Sequence, residues 1–383
     1  MALTARRTEP VTILRRDRPL RPDLLLVIAY FALAGLGIIM VFSASAPRLE
    51  AFGEDPGALV RRHTVFVGVG IAVFVFTSAI GGRMLRSMAP LVYVVSLATL
   101  VAVLFAPEVA GVNRWIQIGA FQFQPTEFAK PALILALALL LATATERLHL
   151  KHVARVVVLV AIPAALTFLQ PDLGTMLVFG FIAIVMLFVG GATWRQLGFL
   201  VIASVIVAVA IFQVGALKDY QVTRLTAFLD PTADLDATAL YNQVQSEIAI
   251  GSGGFLGKGL FEGTQTNLSF VPAQATDFIF TAVGEQLGFV GGSLVIALYG
   301  VLIWRLLAAA SEGREGFTRM VAVGVAALFA FHVFVNIGMT MRLMPVTGLP
   351  LPFLSAGGSA FIAMSGALGL AHSVWLRRSP VRE

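Results

Sequence analysis

Residues 24–43 read LLLVIAYFALAGLGIIMVFS, twenty positions without a charge. As a helix rising 1.5 Å per residue, this stretch is about 30 Å long, the thickness of a bilayer's hydrocarbon core. It shows neither strand alternation nor a polar face, so every side must meet lipid or another apolar helix. No small-residue cleavage site follows and apolar runs continue throughout, so the segment is expected to remain as a span rather than leave as a signal peptide. Nine further runs of the same kind lie at about 63–80, 88–105, 128–142, 154–168, 173–189, 197–212, 278–307, 321–343 and 360–375. Several are shorter than the ~20 residues needed to cross upright, which puts their polar ends at the interface.

Composition agrees. Of 383 residues, 58% are hydrophobic and 13% charged, with a mean hydropathy of +0.89; a soluble domain is about 25% charged. The chain has no cysteine, which excludes disulfides and thiolate metal sites and leaves its redox compartment open. Its net charge of +6 reflects the Arg and Lys that cytoplasmic loops collect; no basic patch with interleaved aromatics points to nucleic acid. The expected fold is all-α: a polytopic membrane protein of about ten helices with both termini on one side. With the N-terminus in the cytoplasm, 18 of the 27 Arg and Lys fall inside, among them Arg6, Arg83, Arg155, Arg195, Arg314 and Arg378. The reverse orientation would invert that split. The chain then divides into a basic cytoplasmic tail (1–22), a transmembrane domain (23–376) and a short cytoplasmic tail (377–383).

Polar residues concentrate on the outer side. The segment between the seventh and eighth spans, 214–277, is long and polar, yet rich enough in Leu, Ile, Phe and Val to be structured. Within it Tyr241, Val244 and Ile248 recur at helical spacing while Gln243, Gln245 and Ser246 face elsewhere, as in a helix lying along the outer interface. Gly251-Ser252-Gly253-Gly254 then reads as a flexible turn or as a loop that brings backbone N–H groups to an anion. A second outer segment puts Glu127 and Lys130 on one helix face, either as a functional pair or as an ion pair that positions the helix. Arg114 beside Trp115 reads as an interfacial anchor, and Asp172 as a helix cap. The proline- and glycine-rich segment 344–358 cannot be a regular helix and must line a cavity or be buried by protein. Glu285 lies two turns inside the eighth span and must face protein or water. Asp277 stands where the polar loop enters that span; by position it reads first as a helix cap, with partial desolvation favouring a base as the sharper alternative.

Taken together, five strings resemble the signature segments of the SEDS family (shape, elongation, division and sporulation) in order. They are NRWIQIGAFQFQPTEFAK (113–130), QPDLGT (170–175), YNQVQSEIAIGSGGFLGKG (241–259), GTQTNLSFVPAQATDFIF (263–280) and NIGMTMRLMPVTGLPLPFLSAGGS (336–359). The similarity runs from about residue 22 to 376, and the third and fifth strings look more like the RodA-like elongation branch than the division branch. The resemblance implies a peptidoglycan glycosyltransferase that polymerises lipid II at the outer face of the bacterial inner membrane. It implies Asp277 as the catalytic residue, a general base, and Arg114, Glu127, Lys130, Asp172, Gln245 and Ser355 as further functional positions. Lys130, Arg114, Arg224 and Lys258 are the candidates for meeting the charge of a leaving pyrophosphate, and Glu285 for lining the cavity. A magnesium or manganese ion held partly by Asp277 is also implied, although no ligand cluster in the sequence marks it; no organic cofactor is. The implied partners are lipid II, the growing lipid-linked strand, membrane lipid, a class B penicillin-binding protein transpeptidase and the elongation machinery. Three positions depart from the family's pattern: Ala275 stands where it usually has His, Ala356 where it usually has Tyr, and Gln286 where Glu often follows Glu285. A lipid II flippase would need internal repeats and a polar path at the midplane, neither of which appears. A non-catalytic scaffold for the transpeptidase would need no convergence of Asp277, Glu127 and Lys130.

Overall fold

The computed structural model describes residues 21–108, 111–119, 121–142, 148–229 and 237–378; most of both expected tails lies outside these. The helices are α1 (Leu24–Ala51), α2 (Ala58–Ala79), α3 (Gly82–Ala102), α4 (Pro125–Leu141), α5 (Leu150–Leu169), α6 (Leu173–Val189), α7 (Trp194–Gln213), α8 (Asp219–Leu229), α9 (Ala237–Ser252), α10 (Thr264–Asn267), α11 (Ile279–Glu312), α12 (Gly316–Thr340) and α13 (Gly358–Leu376). Eight of them are long and apolar enough to cross a membrane: α1, α2, α3, α5, α7, α11, α12 and α13. The other two expected spans appear as α4 and α6, of 17 residues each, about 26 Å long. Helices such as α2 and α3 begin several residues before their apolar runs, because a helix carries on past the hydrocarbon boundary. One element was not foreseen. A two-stranded antiparallel hairpin, β1 (Ile116–Ile118) with β2 (Phe121–Phe123), pairs Gln117 with Gln122 just ahead of α4.

The core is built around α12 and α13, whose apolar windows are 78% inside the protein, against 6% for peripheral α7. Helix α13 lies along α2, where a Cβ on Gly70 would come within 2.5 Å of the Phe361 ring; small residues at helix contacts permit this approach. At one end of the bundle Asp23 caps α1, accepts from Arg305 Nε at 2.8 Å and donates its backbone N–H to His372 Nε2 at 3.2 Å, tying α1, α11 and α13. The opposite end carries the hairpin, the break between α5 and α6, helices α8–α10 and the irregular 344–358 segment.

Helix α11 is broken at Gly288 (φ 64°, ψ −162°), a conformation that only glycine adopts readily. The backbone groups that the break releases find partners in the loop after α9. Lys258 and Gly259 donate to the carbonyls of Glu285 and Gln286, while Phe289 and Val290 donate to those of Gly254 and Phe255. The glycine string 251–254 is thus part of this junction rather than a loose turn: a Cβ on Gly253 would sit 2.0 Å from Gly284 O, so glycine at 253 lets the loop lie against α11. Helix α9 turns its polar face inward, with Gln243 Nε2 donating to Met344 O at 3.0 Å and Ser246 Oγ to Thr340 O at 2.7 Å. Tyr241 and Ile248 point outward, as expected of a helix lying along an apolar interface.

Replacing Gly288 tests this junction. A Cβ there would meet Gly257 N at 2.3 Å, on top of a backbone strain of ~1–3 kcal/mol. Gly288→Ala should therefore destabilise the purified protein in detergent by more than ~3 kcal/mol, seen as a clearly lowered thermal midpoint. Gly300→Ala, in the same helix with nothing within 4 Å, should leave it nearly unchanged.

Candidate functional site

At the end opposite Asp23, a cavity of about 450 Å³ opens between two walls. One is formed by the start of α2, β2 and residues 356–360, stitched together by Ser359, whose Oγ donates to Gln122 O at 2.7 Å and accepts from Gln124 N at 3.0 Å. The other is formed by Arg114, the α5–α6 break, α8, Asp277 and residues 348–350. Of the expected site residues, Arg114, Glu127, Asp172, Arg224 and Asp277 line this cavity.

Asp277 does not cap α11: the cap position is Phe278, and no side chain bonds the helix start. The carboxylate is instead presented to the cavity. Its backbone is held from below by Asn336, whose Nδ2 donates to Asp277 O at 2.8 Å and to Leu349 O at 2.7 Å, fixing the 348–350 segment against it. Burial raises the carboxyl above the ordinary aspartate range, and the nearby Asp172 adds to this, while the cations of Arg224 and Arg114 and a hydrogen bond from Thr276 act against it.

Asp172 does cap its helix, accepting from Thr175 N at 3.2 Å and from Thr175 Oγ1 at 2.9 Å, and it faces the cavity as well. Arg114 is no loose anchor. Its Nε donates to Gln170 O at 2.8 Å and its Nη2 to Pro171 O and the Tyr220 hydroxyl. Pro171 O also accepts from Tyr220 and from Gln221 Nε2, which moors α8 to the break. Arg224 lies one turn on, its guanidinium 5.5 Å from the Tyr220 ring centre.

Glu127 sits in the first turn of α4, 3% exposed. Its Oε1 accepts from Lys130 Nζ at 2.7 Å, and its Oε2 is buried with no hydrogen-bond partner among the described residues. Lys130 lies fully buried behind it, outside the cavity lining, and also contacts His332 Nε2 at 3.2 Å. Because His332 Nδ1 faces the carbonyl of Pro350 at 3.1 Å, the ring proton belongs on Nδ1 and Nε2 accepts from the ammonium.

Besides Lys130, four expected residues lie outside the cavity lining. Glu285 is fully buried and spends its carboxylate on Lys258 Nζ, Gln265 N, and the Thr266 N–H and hydroxyl. It therefore knits the 258–266 loop to α11, and Lys258 is committed to it. Ser355 Oγ accepts from Leu351 N at 2.9 Å within its own turn. Gln245 is half-buried on α9 and not in the lining. Conversely, Arg62, His63, His332 and Asn336 were not singled out from sequence, although polar side chains inside apolar helices are themselves a functional signal.

Among the described residues no three His, Asp or Glu side chains converge on one point. The positive charge that the described side chains turn to the cavity is that of Arg62, Arg114 and Arg224.

Known proteins match this arrangement over almost its full length. The chain is 37% identical to the peptidoglycan glycosyltransferase MrdB of Escherichia coli strain K12 over 362 residues, covering 94% of each. It is 36% identical to the stage V sporulation protein E of Bacillus subtilis, covering 92% of this chain and 96% of that one. Among solved structures it resembles a chain from work on the "structural coordination of polymerization and crosslinking by a peptidoglycan synthase complex", at TM-score 0.79 and 34% identity, covering 93% of this chain and 98% of that one. It also resembles the rod shape determining protein RodA of Thermus thermophilus, at TM-score 0.69 and 31% identity, covering 94% and 99%. The family profile FtsW/RodA/SpoVE, described as cell cycle protein, matches residues 24–379. This chain is therefore a multi-pass membrane protein that belongs to the FtsW/RodA/SpoVE family.

Proposed function

We propose that this protein is a peptidoglycan glycosyltransferase that joins lipid II into glycan strands, with its cavity open to the outer face of the bacterial cytoplasmic membrane. One observation carries the reading: Asp277 is a carboxylate that caps no helix and faces a cavity beside Arg224 and Arg114. The acceptor sugar hydroxyl gives its proton to Asp277 as its oxygen bonds to the donor's anomeric carbon. The bond from that carbon to the lipid pyrophosphate breaks, and the leaving oxygen takes the electron pair. Arg224 meets the charge that develops, with Arg114 adding to the field from its fixed position against Pro171. Glu127 and Lys130 form the floor of the site, and His332 links that floor to Pro350. No step is assigned to a divalent cation. A class B penicillin-binding protein transpeptidase is the expected partner, in keeping with the synthase complex that the fold resembles.

Asp277→Asn keeps the size of the side chain but cannot accept the proton, so polymerisation of lipid II by the purified protein should fall by ~10²–10⁴-fold. The stability effect has the opposite sign. The folded state raises the Asp277 pKa, so it binds the proton more tightly than the unfolded chain, and stability declines as pH rises through that raised value. At neutral pH the Asn variant should melt no lower than wild type. A large drop in melting temperature in step with activity would instead make Asp277 structural. Activity should have an acid limb above the ordinary aspartate value of about 3.9. Arg224→Gln removes a charge that favours the carboxylate, so that limb should move to higher pH; an unmoved limb would take Arg224 away from Asp277.

Orientation is tested separately, since the chain contains no cysteine. Glu54 is exposed in the loop that leads to the cavity wall and Arg195 is exposed at the other end of the bundle. In intact cells a membrane-impermeant maleimide should label Glu54→Cys and spare Arg195→Cys; the reverse pattern would point the cavity inward.

A further inference from the structure

One wall of the cavity holds polar groups that the mechanism above does not use. His63, in the first turns of α2, is 2% exposed and lines the cavity. Neither of its ring nitrogens has a hydrogen-bond partner among the described residues. Its ring stands edge-on to Phe361, with centroids 5.8 Å apart, so it is fixed by packing rather than by a polar contact. Next to it Arg62 is exposed to the cavity, its guanidinium 5.6 Å from the centre of the Phe66 ring, with no ion pair among the described residues. Phe66 packs in turn on Phe121 of β2, so this cationic corner is a built surface. It belongs to different elements from the corner formed by Arg114, Arg224 and Asp277.

A buried imidazole with both nitrogens unbonded is stabilised by a ligand that accepts from one and donates to the other. An adjacent exposed guanidinium selects that ligand for negative charge. The reaction itself calls for a second anion site. Both sugars to be joined carry a lipid pyrophosphate. The donor's pyrophosphate departs from the carbon under attack, so it belongs beside Asp277. The acceptor's pyrophosphate sits at the far end of its disaccharide from the attacking hydroxyl, and must be held at a distance from the base.

We propose that Arg62 and His63 form the subsite for the acceptor's pyrophosphate, a second anion site across the cavity from Arg224. The proposal rests on the glycosyl-transfer reading above and adds a location and a specificity to it. Arg62 binds the phosphate oxygens; the His63 N–H donates to one of them, and its other nitrogen accepts from a sugar hydroxyl or amide N–H. The wall thereby sets how far the acceptor's hydroxyl reaches toward Asp277.

Two measurements on the purified full chain in lipid nanodiscs test this. In polymerisation assays, Arg62→Gln and His63→Leu should each raise the KM for lipid II about tenfold or more while lowering kcat less. His63→Gln, whose amide supplies both a donor and an acceptor, should recover most of the loss. Equal KM values for wild type, His63→Leu and Arg62→Gln would overturn the proposal. If His63→Leu fails to fold, Arg62→Gln decides alone, because Arg62 is exposed and its loss removes only a contact over the Phe66 ring. In binding assays with a sugar-free polyprenyl pyrophosphate, wild type should take up two equivalents and Arg62→Gln one. One equivalent bound by an active wild-type chain would sink the second subsite and leave the reaction standing. Two equivalents bound by a chain that makes no polymer would keep both anion sites and sink glycosyl transfer.

Discussion

Hydrocarbon offers no hydrogen-bond partner, so a departure from regular helix at membrane depth has to be satisfied by the protein itself or by water in a cavity. Two departures shape the molecule. The break at Gly288 is answered by the backbone of the 254–259 loop, which explains why a polar loop and a helix interior rich in glycine occur in one chain. The irregular 344–358 segment is answered by side chains: Asn336 for Leu349, His332 for Pro350, Tyr299 for Pro352 and Ser355 for Leu351. Three of these four side chains stand on α11 and α12, so those helices position the segment that faces Asp277. The polar residues buried in the bundle thus serve first as backbone partners, and the site inherits their rigidity.

The same constraint governs the charges. Lys130 is fully buried, and an isolated ammonium there would be very costly. Glu127 on one side and the acceptor nitrogen of His332 on the other supply its partners. That arrangement uses only one oxygen of Glu127, and the second is buried with no hydrogen-bond partner among the described residues. Glu285 provides the contrast. With Lys258, Gln265 and Thr266 around it, its carboxylate is fully engaged and has nothing to offer a substrate. Two acid–lysine pairs, one within a helical turn and one between distant segments, differ in whether an oxygen is left over.

This difference also marks how far the sequence could be read. Apolar runs declared the spans, and the 170–175 and 344–358 breaks were visible from proline, glycine and aspartate. The five strings located Asp277, and with it the end of the bundle that carries the site. What escaped was pairing between distant segments. Nothing in a single sequence says that Lys258 reaches Glu285 twenty-seven positions on, or that Arg114 spends its guanidinium on the Gln170 and Pro171 carbonyls. The hairpin before α4 was missed because its strands are three residues each, too short for alternation to register. His63 and Arg62 were passed over because they sit at the edge of an apolar run, where a polar residue looks like the end of a span.

The two alanines that depart from the family's pattern acquire a meaning from the fold. Ala356 N donates to Ala275 O at 2.8 Å, so the positions usually occupied by His and Tyr are neighbours, and both are truncated here. Backbone pairing at this point survives the loss of either side chain, which is why the segment keeps its place against Asp277. Neither alanine can exchange a proton or donate a side-chain hydrogen bond. Any such contact to the sugars in this protein must come from other groups facing the cavity, and Ala356 lies on the wall that also holds Ser359, Gln122 and His63. With alanine at both positions, the polar character of the wall rests with these three, Gln124 and Arg62. Proton abstraction falls to Asp277, the cavity carboxylate held neither by a helix start, as Asp172 is through both oxygens, nor by a lysine, as Glu127 is through one.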